Sequence, residues 1–304
     1  MGDTGNKKDS GFDMKPNTRM IEMQLPRLMD YHMHTAVTID GKMNEIEACE
    51  RALSQGLQEI AFTNHVMLNQ PDYIISPEAL VAHWNQIQSC QQRYPMMKIR
   101  VGIEMDYYPG REQEIAASLR NYEELINRPF DFVLGSIHEL KGVFFSNKHQ
   151  AAELFRDCDL IALYLDYFDL AAQAVQSQLF DIMAHPDLIK KYTHVLTSPV
   201  PFDTYRPAVE LFIDALLESS VGIEVNTKGL ISKIKETYPS HEFLELYLSK
   251  AKSSGIEPIL TLGSDAHKVD EVGGYILEEA TILRKLGVGK LASFEKRMKS
   301  PFEM

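Results

Sequence analysis

Residues 27–34 read RLMDYHMH. The apolar run 27–31 is of strand length, too short for a helix, and it ends in His32-Met33-His34. In extended chain, side chains at i and i+2 point the same way, so His32 and His34 can reach one metal ion together. The same rhythm returns six times along the chain. Run 59–62 leads to Thr63-Asn64-His65, run 98–103 to Glu104-Met105-Asp106, and run 130–134 to Gly135-Ser136-Ile137-His138. Run 179–184 leads to His185-Pro186-Asp187, run 221–225 closes on Glu224-Val225-Asn226, and run 259–262 leads to Gly263-Ser264-Asp265-Ala266-His267.

The stretches between these runs read as helices: 44–55, 77–92, 112–127, 151–176, 242–252 and 272–286, with another marked by Val209, Phe212, Ile213, Leu216 and Leu217 on one face. Pro207 suits the first turn of that last helix. Short apolar strands alternating with helices predict a parallel sheet buried on both faces. Seven units predict an α/β fold of the TIM-like barrel kind, a (β/α)7 barrel with one strand fewer than usual. Barrel enzymes build their sites at the C-terminal ends of the strands. Six of the ten histidines fall at these ends, which is where a catalytic cluster belongs.

Composition narrows the function classes. The chain has 304 residues, is 44% hydrophobic and carries a formal net charge of −12, with no Lys/Arg run of the sort that grips nucleic acid. Cys49, Cys90 and Cys158 are scattered and form no CxxC, which fits packing thiols in a reducing cytoplasm. No apolar stretch is long enough for a membrane span, and the first 20 residues lack the apolar core of a signal peptide. Residues 1–22 read as a flexible polar tail and 23–304 as one domain.

Imidazole with carboxylate is a donor set for Zn, Mn or Fe rather than for Ca or Mg alone. Asp265-Ala266-His267 repeats the geometry of His32-Met33-His34 at the other end of the chain. His83, His149, His194 and His241 fall in helices or loops and read as surface residues.

The stretches DYHMHTAVTIDG, AFTNH, GIEMDY, GSIHE, DIMAHPDLIKKY, IEVNTKGL, KETYP and LGSDAH, in this order from residue 30 to about 273, resemble the PHP (polymerase and histidinol phosphatase) superfamily, and most of all its histidinol-phosphatase branch. The resemblance implies a distorted seven-stranded barrel holding up to three divalent ions. It assigns His32, His34, Glu104 and Asp265 to one ion. Glu104 bridges to a second held by His138 and His185. His65 and His267, with Asp40, take a third. Three departures stand out: Asn64 where Asp usually precedes His, Glu139-Leu140 in place of an aromatic after His138, and Thr38 where Ser is common.

The expected reaction is hydrolysis of a small phosphate monoester, L-histidinol phosphate to L-histidinol and phosphate, by a metal-bridging hydroxide, with Glu104, Asp265 and His267 at its centre. Arg156 is the expected phosphate-binding cation, and Arg206 and Lys228 are other options. Asp187 or His267 could pass a proton to the leaving group. The ligand set leaves open another small phosphorylated metabolite or a nucleotide as substrate. An amidohydrolase would want a Lys after the fourth strand, where Ser136-Ile137-His138 stands, and a metal-free regulatory relative would have lost ligands.

Overall fold

The computed structural model describes Met1, residues 26–156 and residues 158–304. Apart from Met1, the tail expected over residues 1–22 lies outside the described residues. Seven strands form the barrel wall: β1 (Leu28–Asp30), β2 (Leu57–Phe62), β3 (Lys98–Asp106), β4 (Phe132–Ser136), β5 (Ile182–Met183), β6 (Gly222–Asn226) and β7 (Leu260–Gly263). They pair in parallel and in chain order. The two ends of the sheet meet where the Tyr31 amide donates to the Leu262 carbonyl at 2.8 Å and Met33 bridges Ala266. This is the expected (β/α)7 barrel, with β3 also pairing the two-residue strand His65–Val66.

Helices α1 (Glu45–Ser54), α2 (Pro77–Arg93), α3 (Glu112–Leu125), α4 (Lys148–Leu154), α5 (Leu160–Gln176), α6 (Phe202–Leu217), α7 (His241–Ser254) and α8 (Ile276–Lys285) account for the longer intervening stretches. Their starts follow local chemistry. Asn44 makes a reciprocal capping box with Glu47, and Ser76 caps α2 ahead of Pro77. Two expectations need correction. The helix expected over 151–176 is split, because the Asp159 side chain accepts from the Ile161 and Ala162 amides and starts α5 afresh. Pro207 lies inside α6 rather than in its first turn, since the helix already begins at Phe202. The ring removes only the amide that would have reached the Asp203 carbonyl.

The inner face of β3 threads the barrel from one buried charge to another. Period-two alternation places Arg100, Gly102, Glu104 and Asp106 on one side of the strand. Gly102 is there because a Cβ would meet the Phe132 ring at 2.8 Å. Phe132 fills the barrel at that level, stacked on Tyr31 with ring centroids 4.8 Å apart. Below it, Arg100 donates to Glu59 at 2.8 Å, and Glu59 also accepts from the hydroxyls of Tyr31 and Ser293.

This lower end is closed by an antiparallel hairpin, β8 (Lys290–Glu295) and β9 (Met298–Glu303). Phe294 stacks on Phe132, and Glu295 takes a second bond from Arg100 at 2.8 Å. The hairpin turn holds Lys296 and Arg297 at φ of 50° and 66°. Their amides are anchored on Asp131 at 3.1 and 2.8 Å. Among the described residues no helix is long and apolar enough to cross a membrane.

Candidate metal centre

At the upper end of the barrel, Glu104 is the hub. It is fully buried at the end of β3. Its carboxylate lies 3.1 Å from His32 Nε2 and 2.9 Å from His185 Nε2. It lies 2.7 Å from His65 Nδ1, 3.5 Å from His34 Nε2 and 3.8 Å from His138 Nε2. Asp265 adds a second carboxylate, 3.4 Å from His34 Nε2 and 4.0 Å from His32 Nε2. Asp40 reaches His65 Nε2 at 3.3 Å and His267 Nε2 at 3.2 Å. Asp40 can come so close because Gly41 lets the loop fold onto Thr35, whose carbonyl a Cβ would meet at 1.9 Å. The structure thus brings together all nine residues that the sequence suggested as ligands.

A layer of residues outside the cluster orients it. Glu224 accepts from His32 Nδ1 at 2.8 Å and from the His185 amide at 3.0 Å, which leaves His32 Nε2 free to face Glu104. Gly263 makes room for this, since a Cβ there would meet Glu224 Oε1 at 1.9 Å. Asp106 holds His138 Nδ1 and the Ser136 hydroxyl, both at 2.6 Å. Asp30 ties the first strand to the last loop through the Ser264 amide at 2.8 Å and hydroxyl at 2.6 Å. Two cluster residues sit in strained backbone, His185 at φ 28° and Asp265 at φ 52°. Strain of this kind collects at sites where the side-chain position matters more than local comfort.

Three overlapping pulls set the electrostatics. Burial pushes His32 toward the neutral form, but Glu224, Glu104 and Asp265 overcome it and hold its pKa well above the ordinary value. His65 behaves alike: burial opposes its charge, and Glu104 and Asp40 raise its pKa to about 10. His34, crowded by burial and by His65 and His267, is pushed well down. Against the cost of burial, Glu104 is held well below the carboxylate range by His65 and His32, and Asp265 by His32 and His34. No Lys or Arg forms a salt bridge with Glu104 among the described residues.

The side chains fit divalent cations. Both ring nitrogens of His34, the Nδ1 atoms of His65 and His185, and Asp40 Oδ1 are buried without a hydrogen-bond partner. Buried polar atoms are normally paired, and so many unpaired donors in one place fit the ligand shell of a cation. Four overlapping triples offer ligand atoms within 4.8 Å of one another: His34/His65/His267, His32/Glu104/His185, His32/His34/Asp265 and His65/Glu104/His138. Imidazole with carboxylate suits Zn, Mn or Fe.

The other expected residues are placed less centrally. Arg156 is exposed just beyond α4 and does not line the metal cavity. Arg206 is paired with Asp203 at 3.3 Å, outside this cavity. Lys228 braces the Asp265 carbonyl at 3.0 Å and Glu271 at 2.7 Å. Asp187 is buried beside Lys190, 2.8 Å away, and accepts from the Ser240 amide. It does not line the metal cavity.

His83, expected on the surface, is buried. Its Nδ1 lies 2.5 Å from Glu45 and its Nε2 3.2 Å from the Asn64 amide, while Asn64 Oδ1 accepts the Thr35 amide at 2.8 Å. Asn64 therefore braces the loop after His34. Sequence reasoning also missed Lys191. It lines a cavity of about 170 Å³ with Asp40, His65, His138, His185 and Asp265. Lys191 forms no salt bridge among the described residues, and burial pushes its pKa down although Asp265, Glu104 and Asp40 pull the other way. The stretch LIKKY holds two adjacent lysines, and nothing in spacing alone says which one turns toward the metals.

The chain is similar to known proteins. The PHP domain profile matches residues 30–228. A protein of Deinococcus radiodurans named "Probable histidinol-phosphatase" is 30% identical over 280 residues, covering 90% of this chain and 99% of that one. The histidinol-phosphatase of Bacillus subtilis is 27% identical over 265 residues, covering 80% of this chain and 95% of its own. Among solved structures, histidinol phosphate phosphatase from Lactococcus lactis, complexed with zinc, L-histidinol and phosphate, superimposes with a TM-score of 0.74 at 23% identity, covering 90% of this chain and 99% of that one. That likeness shows the barrel fold, and the matches in sequence carry the kinship: the chain belongs to the PHP domain family.

Proposed function

We propose that this protein is a metal-dependent phosphoric monoester hydrolase that cleaves L-histidinol phosphate to L-histidinol and phosphate. One observation carries the reading: a buried carboxylate, Glu104, faces imidazoles from several strand ends, with no Lys or Arg salt bridge to it among the described residues. Relatives named histidinol-phosphatase that align over most of the chain support the substrate.

Divalent ions held there would activate water and offset the charge on the phosphoryl oxygens. The chain itself does the rest. Glu104 and Asp265 supply the negative charge that retains such ions. Glu224 and Asp106 fix which ring nitrogen of His32 and His138 faces inward. Lys191 lines the cavity, forms no salt bridge among the described residues, and would take a phosphate oxygen. Arg156 could serve only by moving inward from its exposed position. His267 has Nδ1 against the Asp265 carbonyl at 2.9 Å and Nε2 against Asp40 at 3.2 Å, so Nε2 is the atom it would turn to an ion.

The test is phosphate release by manganese- or zinc-loaded protein from a panel of phosphorylated metabolites. The expected result is a kcat/KM for histidinol phosphate at least about tenfold above that for sugar phosphates and nucleotides, a difference worth roughly 1.4 kcal/mol of transition-state binding. A smaller preference overturns the assignment of substrate.

A further inference from the structure

Back to back with the metal cavity lies a larger cleft of about 690 Å³, a volume usual for a small-molecule site. The short 3-10 turn Leu188–Tyr192 separates the two: Lys190 lines the cleft and Lys191 lines the metal cavity. The cleft has an aromatic floor. Tyr205 packs against Tyr164 and Phe202, with ring centroids 4.7 and 5.3 Å away. Tyr205 is only 5% exposed, and its hydroxyl, unlike the ring, is not sealed from solvent where it lines the cleft.

The rim is acidic. Asp203, Glu236 and Glu242 line it together with the cations Arg206 and Lys190. Arg206 is spent on Asp203 at 3.3 Å. Lys190 is fully used inside, 2.8 Å from Asp187, 3.2 Å from Glu236 and 2.8 Å from the Thr237 carbonyl. Asp203 and Asp187 balance these two cations. Glu236, which Lys190 only shares, and Glu242 are left in excess, and the carboxylate of Glu236 remains more than half exposed.

We propose that this cleft is a second ligand site, distinct from the metal centre, for a small ring-bearing ammonium compound. The ring would lie on Tyr205, Tyr164 and Phe202. The ammonium would meet Glu236 and Glu242 with cation–π support from the floor. A polar group on the ring would meet the Tyr205 hydroxyl. The charge balance disfavours an anion, and the aromatic floor disfavours an inorganic cation. None of this depends on the phosphatase assignment.

The test uses metal-loaded protein saturated with inorganic phosphate, so that the metal cavity is occupied. Tyramine and histamine are the probes, and 4-hydroxyphenylacetate is the anionic control, with binding followed by calorimetry and saturation-transfer NMR. Tyramine should bind with a Kd on the order of 1 mM or below, and the control about tenfold more weakly. Glu236→Gln should weaken tyramine about tenfold and Tyr205→Phe about threefold, each with unchanged phosphate release from the enzyme's substrate. Should Glu236→Gln fail to fold, Glu242→Gln on the exposed rim takes its place with the same expected direction. Equal affinity for tyramine and the acid overturns the proposal, as does tyramine binding that both variants leave unchanged, or no binding of either amine.

Discussion

The inner face of β3 carries Arg100 near one end of the barrel and Glu104 near the other, with Gly102 between them, and the two ends bury charge in opposite ways. At the lower end, Glu59 is met by the Arg100 guanidinium and by two hydroxyls, all on the same chain. That network gathers on Glu59 Oε1 within the protein, leaving only Oε2 without a hydrogen bond, and the hairpin covers it. At the upper end, Glu104 and Asp265 face imidazoles that carry no fixed charge, and several of their nitrogens have no partner. A buried ion pair of the first kind serves the fold. A cluster of the second kind is left for cations from solution. Only the upper end should lose function without losing the fold, and only the lower end should do the reverse.

The largest expected effect tests this directly. Glu104→Gln should reduce phosphate release by about a hundredfold or more. Glu59→Gln should leave turnover within about twofold but lower stability by roughly 3 kcal/mol, because Arg100 then lacks its buried partner. If both substitutions lowered turnover and stability alike, the division between the ends would fail.

The second effect sharpens what the upper end offers its substrate. Lys191→Met should lower kcat/KM about thirtyfold, while Arg156→Met should change it about twofold or less. The reverse order would assign the phosphate grip to Arg156 and require its segment to close over the cavity.

The third compares the ends by pH. The His65 pKa is raised to about 10, so near neutrality its proton competes with a metal ion. Affinity of the stripped protein for zinc should therefore rise with pH up to that value and fall about tenfold per unit on acidification for each proton displaced. The Arg100 pKa is itself raised, against burial, by Glu59 and Glu295, so the lower network stays charged over the same range. Zinc affinities measured at two pH values one unit apart would expose a flat profile, which contradicts the competition.

The smallest effect concerns the hairpin turn. Lys296 is exposed and left-handed at φ 50°, a conformation that Asn tolerates better than Lys. Lys296→Asn should stabilise by about 0.5 kcal/mol in thermal unfolding, with turnover unchanged.

Much of the upper end was legible in the chain because most ligands fall at or just beyond the end of a strand. Period-two alternation and the strand-end rule convert scattered positions such as His32, Glu104 and Asp265 into one rim. The lower end was not legible. In β8, Leu291, Ala292, Ser293 and Phe294 are all buried, so the alternation that marks a strand is absent. Its turn is Lys-Arg rather than Asn-Gly. His83 was misplaced for a related reason: it lies on α2 with an apolar neighbourhood that spacing cannot distinguish from solvent, and only the fold brings Glu45 and Asn64 to it. Glu224 was visible at a strand end, but its role requires Gly263 and His32 to be in contact with it, which no single stretch records.

The most direct measurement is anomalous scattering from crystals of the zinc-loaded protein. Peaks are expected within about 2.0–2.2 Å of Glu104 carboxylate oxygens and of imidazole nitrogens drawn from His32, His34, His65, His138, His185 and His267. Zinc bound elsewhere, with the Glu104 carboxylate still contacted only by imidazoles, would contradict a barrel whose upper end is built to hold cations.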